Sequence, residues 1–108
     1  MKACILRQTG GPEHLAIETV PDPEPGAGEV RVALKCAALN RRDVWITLDL
    51  YPGLSLPCTA GSDGAGIIDA VGAGVDADLV GREVILYPAR DWGLGLRSFG
   101  PDFRVLGM

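Results

Sequence analysis

Three features of this chain carry residue types that do chemistry. The first is Gly72-Ala73-Gly74-Val75-Asp76-Ala77, which comes after an apolar run and matches G-x-G-x-x-A, a pattern that cradles dinucleotide phosphates. Such a cradle needs a helix whose N-terminus faces the pyrophosphate. Here only a few residues separate the glycines from the next expected strand, and Gly81 interrupts them. Asp76 and Asp78 would also repel phosphate. The run therefore reads as a tight turn between strands. The second feature is the set of cysteines, Cys4, Cys36 and Cys58, odd in number and widely spaced. They read as small buried hydrophobes of a reducing, cytoplasmic compartment, not as a disulfide framework or a metal cluster. The sole histidine, His14, falls on a predicted strand far from them and reads as an ordinary exposed or partly buried residue. The third feature is a polar run, Asn40-Arg41-Arg42-Asp43, with the Tyr51-Pro52-Gly53 break and the Gly-rich Gly61-Ser62-Asp63-Gly64-Ala65-Gly66 after it.

The elements that must position these residues are mostly short strands. Met1 to Arg7 is a strand with an apolar body, and Gln8 to Glu13 is a turn cluster. Leu15, Ile17 and Val20 lie close to a period of two, which predicts a second strand from His14 to Val20. Pro21-Asp22-Pro23-Glu24-Pro25-Gly26 is stiff and extended, because each proline fixes φ and removes a donor. Flanked by strands, it is expected to wrap the outside of a barrel. Glu29 to Leu39 alternates, with Val30, Val32 and Leu34 on one face. Asn40 to Leu50 is the one predicted helix. Asn40 acts as its N-cap and Asp43 sits at N3, close to a capping box with Asp in place of Glu. Val44 and Leu48 share a face at i,i+4. Pro52-Gly53 stops the helix. Ala65 to Val71 and Glu83 to Tyr87 are further strands, and the chain is expected to be irregular from Pro88 onward. Short strands, one short helix and Gly-rich corners predict a mainly β fold, a small and partly open β-barrel.

Composition sets the limits. A chain of 108 residues suits one domain with a modest core. Gly 15 and Pro 8 together exceed a fifth of it, which favours many strands and turns over a helical bundle. The net charge is -4 and the basic residues are scattered, so the chain has no electrostatic footprint for nucleic acid or an anionic membrane. No apolar run approaches the ~20 residues of a bilayer span, and Ala3-Cys4-Ile5-Leu6 after a single Lys reads as too short for a signal peptide.

In this order the elements resemble the N-terminal, GroES-like domain of the medium-chain dehydrogenase/reductase superfamily, over nearly the whole chain. The resemblance bears directly on zinc. Zinc-dependent alcohol dehydrogenases carry Cys at the position of Asn40, and Gly-His-Glu-Gly where this chain has Gly61-Ser62-Asp63-Gly64. Asn40 and Ser62 thus stand in the places of two zinc ligands, with Asp63 in the place of the Glu, while Asp43 keeps its Asp. An amide and a hydroxyl are hard, neutral and poor replacements for thiolate and imidazole. Those enzymes also carry a structural zinc lobe with four closely spaced cysteines, whereas the stretch from 88 to 108 is cysteine-free. Its Trp92, Phe99 and Phe103 imply apolar packing in place of the metal, or a mobile tail. No zinc is expected.

What is left resembles the zinc-independent, quinone oxidoreductase-like branch. That resemblance implies hydride transfer from NADPH or NADH to a quinone, enone or related carbonyl compound. It implies a cleft lined by Asn40, Asp43, Tyr51, Ser62 and Asp63, with Asn40 also meeting the nicotinamide. Asn40 is then a donor to a carbonyl, a helix cap, or both; as a cap alone, Asn40→Asp would be nearly neutral for stability. Tyr51 is a pocket wall or a barrel-edge aromatic. One departure is Gly81-Arg82-Glu83-Val84, where most members read Gly-Asp-Arg-Val. Full-length members are much longer and continue into a Rossmann domain, so residues 1–108 correspond to a GroES-like fragment that is expected to bind no cofactor and to be inactive alone. Strand edges left open imply pairing, as a homodimer. The alternative is a non-enzymatic GroES-like barrel that serves as a binding or assembly module.

Overall fold

Residues 1–107 are described by the computed structural model. Among these residues eight strands and one α-helix run in the order β1 (Lys2–Leu6), β2 (Leu15–Thr19), β3 (Val30–Ala38), α1 (Arg41–Thr47), β4 (Cys58–Thr59), β5 (Asp63–Val71), β6 (Glu83–Ile85), β7 (Ala89–Arg90) and β8 (Arg104–Val105). Two three-stranded sheets form, ordered β2-β1-β4 and β3-β5-β6, and β7 pairs with β8. The β1–β2 and β3–β5 ladders are antiparallel. The extents of 44 × 38 × 19 Å describe a flattened body, which is the shape of an opened barrel and not of a closed one. The expectation of a mainly β, partly open fold with one short helix is met.

Local differences from the sequence reading have physical causes. The helix ends at Thr47, short of Leu50, because the Thr47 carbonyl accepts from Gly10 and Gly11 N–H at 2.8 and 3.0 Å and is lost to the helix. Asp49, with φ 60°, then turns the chain away. The buried face of α1 carries Asp43, Ile46 and Thr47, whereas Val44 and Leu48 face outward. On β3 the single apolar face of Val30, Val32 and Leu34 is broken: Val30 and Leu34 are exposed. The β3–β5 register shifts at Arg31/Val32, where the extra residue is Asp69 on β5, and at Leu34/Cys36, where it is Lys35 on β3. Cys36 is exposed, while Cys58 is buried as expected. His14 belongs to a 3-10 turn, Pro12–His14, and not to β2. The segment after Pro88 is ordered by the β7–β8 pair and by mutual edge and stacked contacts among Trp92, Phe99 and Phe103.

The core is small and lies between α1 and the β2-β1-β4 sheet. Leu6, Ile46 and Cys58 form its centre, with Leu15, Tyr51 and Leu54 packed against it. Burial raises the Cys58 thiol above its ordinary range, which keeps it protonated and inert among its neighbours. On the outside, Arg7 grips Glu18 across the β1–β2 ladder through Nε at 2.9 Å and Nη2 at 2.7 Å. Arg31 reaches the Pro23 carbonyl at 3.3 Å, holding the proline strap along β3. No helix of the described residues is long and apolar enough to cross a membrane.

A centre this small makes Leu6 costly to truncate. Leu6 is 0% exposed and Ile85 is 85% exposed. Leu6→Ala is expected to lower unfolding free energy by about 2–5 kcal/mol, and Ile85→Ala by less than about 0.5 kcal/mol. Urea titrations of the two variants side by side check the ranking.

Candidate active site

The polar site is assembled by register. Antiparallel pairing of β3 with β5 sets Ala38 opposite Asp63. The last residues of β3 therefore lie beside the first residues of β5, and Asn40, just past β3, comes next to Ser62 and Asp63. Residues some twenty positions apart in sequence share one corner.

A single buried carboxylate fastens that corner. The first turn of a helix leaves N–H groups without intrahelical partners. Asn40 is extended (φ -113°, ψ 166°) and caps α1, which puts Asp43 at N3. Asp43 Oδ2 accepts from the Asn40 backbone N–H at 2.6 Å, the return arm of a capping box. Asp43 Oδ1 accepts from the Gly61 N–H at 3.0 Å. At 4% exposure the carboxylate is out of solvent, so these donors compensate its burial.

The Asn40 side chain points across the corner. Its amide Nδ2 donates to Asp63 Oδ2 at 2.6 Å and lies 3.5 Å from Ser62 Oγ. Ser62 is buried, whereas Asn40 and Asp63 are exposed. The structure thus brings together Asn40, Asp43, Ser62 and Asp63. Tyr51 stands apart: it is half-buried, packs on the core, and lies under the Arg42 guanidinium at 5.1 Å from the ring centroid. Among the described residues no hydrogen bond joins Tyr51 to the other four. Arg42 is the neighbour that sequence reasoning missed. There it counted only as half of a scattered basic pair, although its place one residue before Asp43 already put it beside this corner.

The glycine run at 72–77 sits in a turn after β5, with Val75 N–H bonded to the Gly72 carbonyl at 3.2 Å. The chain then makes a 3-10 turn of three residues, Ala77–Leu79, capped by Asp76. Gly72 is needed for close approach of the proline strap, since a Cβ there would collide with the Gly26 carbonyl oxygen. Among the described residues no α-helix starts at this turn, and a pyrophosphate cradle needs one whose N-terminus faces the phosphates. Among the described residues no group of three or more His, Cys, Asp or Glu side chains is arranged to hold a metal ion.

Residues 26–100 match the family described as alcohol dehydrogenase GroES-like domain. The chain is 42% identical over 81 residues to the zinc-type alcohol dehydrogenase-like protein YogA of Leptosphaeria maculans, covering 72% of this chain and 23% of that protein. It is 43% identical over 75 residues to a quinone oxidoreductase of Pseudomonas aeruginosa, covering 69% and 23%. Its fold superposes on an NAD-dependent alcohol dehydrogenase with a TM-score of 0.86 at 43% identity, covering 99% of this chain and 33% of the other. The Escherichia coli quinone oxidoreductase complexed with NADPH gives a TM-score of 0.72 at 33% identity, covering 79% and 26%. The chain spans about a quarter of the length of the curated relatives it matches, at 23% of each of these two.

Two substitutions test the corner. An Asn at 43 keeps one oxygen and turns an NH2 toward one of two N–H donors, so Asp43→Asn is expected to cost about 1.5–3 kcal/mol in urea unfolding. Asn40→Asp keeps the helix cap, and capping alone predicts almost no change. The geometry overturns that expectation, because the new carboxylate would replace an amide donor 2.6 Å from Asp63. Two carboxylates in that contact hold one pKa above its unfolded value. The folded variant then binds a proton more tightly than the unfolded one, so its deficit is present at neutral pH and closes as pH falls below about 4. Melting temperatures of Asn40→Asp and the parent, compared from pH 7 to pH 3, check it; a constant gap contradicts it.

Proposed function

The chain belongs to the alcohol dehydrogenase GroES-like domain family, and from that premise we propose that it is the N-terminal part of a zinc-independent, NADPH- or NADH-dependent oxidoreductase that reduces quinones, enones or related carbonyl compounds. The observation that carries this reading is the Asn40–Ser62 approach of 3.5 Å. The two positions that correspond to zinc ligands in the resembling dehydrogenases meet in space, yet they hold an amide and a hydroxyl. The names of the relatives point both ways on metal, so the donor chemistry has to arbitrate. Asn40 Nδ2 is spent on Asp63, and an amide nitrogen that donates cannot coordinate. Ser62 offers a neutral oxygen. This set does not fit a catalytic zinc, which takes thiolate, imidazole and carboxylate ligands.

In such an enzyme the nicotinamide supplies the hydride, and the protein supplies binding and polarity. The residues at 72–77 are unsuited to the cofactor's phosphates, so the contribution of this chain lies at the polar corner. Asp63 holds one amide N–H of Asn40 and thereby sets the plane of the amide. The second N–H, with only the long contact to Ser62, is the donor left for a substrate carbonyl oxygen. A donor fixed in advance where negative charge develops lowers the barrier without reorganisation. Asp43 acts through Asn40 and Gly61, holding the corner in register. Tyr51 serves as an apolar wall.

The test uses protein carrying this chain, purified without chelator. It should oxidise NADPH or NADH in the presence of a quinone or enone acceptor at a rate that chelator does not lower, and should hold no stoichiometric zinc. Asn40→Ala is expected to reduce turnover about a hundredfold. One zinc per chain lost on mutating Cys36 or Cys58, or unchanged turnover in Asn40→Ala, would reject the reading.

A further inference from the structure

Arg42 is the second residue of α1, and its guanidinium is committed in an unusual way. Nη1 donates to the Leu106 carbonyl at 2.9 Å, across 64 residues of sequence. The flat face lies over Tyr51 at 5.1 Å from the ring centroid, within cation–π reach. Nε and Nη2 are buried and have no hydrogen-bond partner among the described residues. That edge of a guanidinium is the one that takes a carboxylate in two bonds, as Arg7 shows with Glu18. Among the described residues Arg42 makes no ion pair, and its contacts there are one carbonyl and one ring.

The carbonyl belongs to a segment that closes tightly at this point. Leu106 N–H donates to the Pro88 carbonyl at 3.0 Å, so both ends of the 88–107 stretch meet here. Gly107 has φ 82°, and a Cβ on it would collide with the Gly61 carbonyl oxygen and lie 3.2 Å from the Thr59 oxygen. Gly61 is the residue whose N–H is held by Asp43. The end of the segment thus presses on the corner that carries Ser62, while Arg42 grips it from the helix side.

We propose that Arg42 is a positioning residue that fastens the end of the 88–107 segment to the Tyr51 wall and the Gly61 corner of the site. The inference goes beyond the proposed activity, since the coupling stands whichever substrate the cleft takes. If the segment lifts, the buried guanidinium becomes open to water, Tyr51 loses its cover, and the backbone of residues 59–61 loses its neighbour. The three movements are linked through one side chain.

NMR of the chain tests it. The Arg42 Nε–H is expected to be protected from exchange with water and to show contacts with the Tyr51 ring. Arg42→Met is expected to accelerate amide exchange at Leu106 and Phe103 at least about tenfold, the scale set by losing a hydrogen bond from a charged donor. The amides of the β1–β2 ladder should keep their rates. Gly107→Ala leaves Arg42 and the core untouched and approaches the same coupling from the other side: it should expose the Arg42 Nε–H to exchange. Unchanged exchange at Leu106 in Arg42→Met, equal acceleration throughout β1, or a protected Nε–H that ignores Gly107→Ala would each overturn the proposal.

Discussion

The buried carboxylate of Asp43 is the interaction on which the site depends. It accepts one N–H from the residue that caps α1 and one from Gly61, ahead of β5. A buried carboxylate is tolerated only when donors replace the water it gives up. Backbone N–H groups at a helix start and at a sharp glycine corner are donors that would otherwise lack partners themselves. Helix, strand and charge therefore stabilise one another. The β3–β5 ladder brings the two backbone stretches near each other, and Asp43 converts that proximity into a fixed distance.

That geometry changes what Asn40 can do. A free asparagine offers two amide protons and one carbonyl oxygen. Here the short bond to Asp63 takes one proton and orients the amide, so the corner is preorganised at the cost of half its donor capacity. The same residue also caps the helix. Cap and amide donor are compatible, because the Asn40 carbonyl accepts from the Asp43 N–H at the start of α1 while its Nδ2 donates to Asp63. The amide makes this a hydrogen-bonded corner.

The apolar architecture is correspondingly thin. Its centre of Leu6, Ile46 and Cys58 lies on one side of a flattened body, and large apolar residues such as Ile85 and Leu94 face outward. Polar contacts take over part of the work of closure. Arg42 spans from α1 to Leu106, and Arg31 from β3 to the proline strap and Asp69. Each guanidinium joins segments distant in sequence, which suits a fold whose barrel is not closed on itself.

Periodicity and turn chemistry made much of this legible. The N-cap at Asn40 with Asp43 three residues on, the extended prolines from Pro21 to Pro25 and the turn at Gly72 all arise from local rules, because caps, prolines and glycines act through their own backbone. The five longer strands were legible as well, and so was the mainly β, open character of the fold, whereas the two-residue strands β4, β7 and β8 were not. What local rules could not supply was anything set by a partner distant in the chain. The β3–β5 ladder slips at Arg31/Val32 and again at Leu34/Cys36, since a register shift is a property of the pair and not of the strand. The helix stopped at Thr47 because Gly10 and Gly11 claimed its last carbonyl. Asn40 met Asp63 only through the pairing of Ala38 with Asp63, and Arg42 found Leu106 across 64 residues. Sequence by itself determined which residues cap, turn and extend, for these depend on φ, ψ and the nearest few side chains. Tertiary structure alone decided which of them touch, because hydrogen bonds between remote segments exist only once the chain has brought their donors and acceptors within about 3 Å.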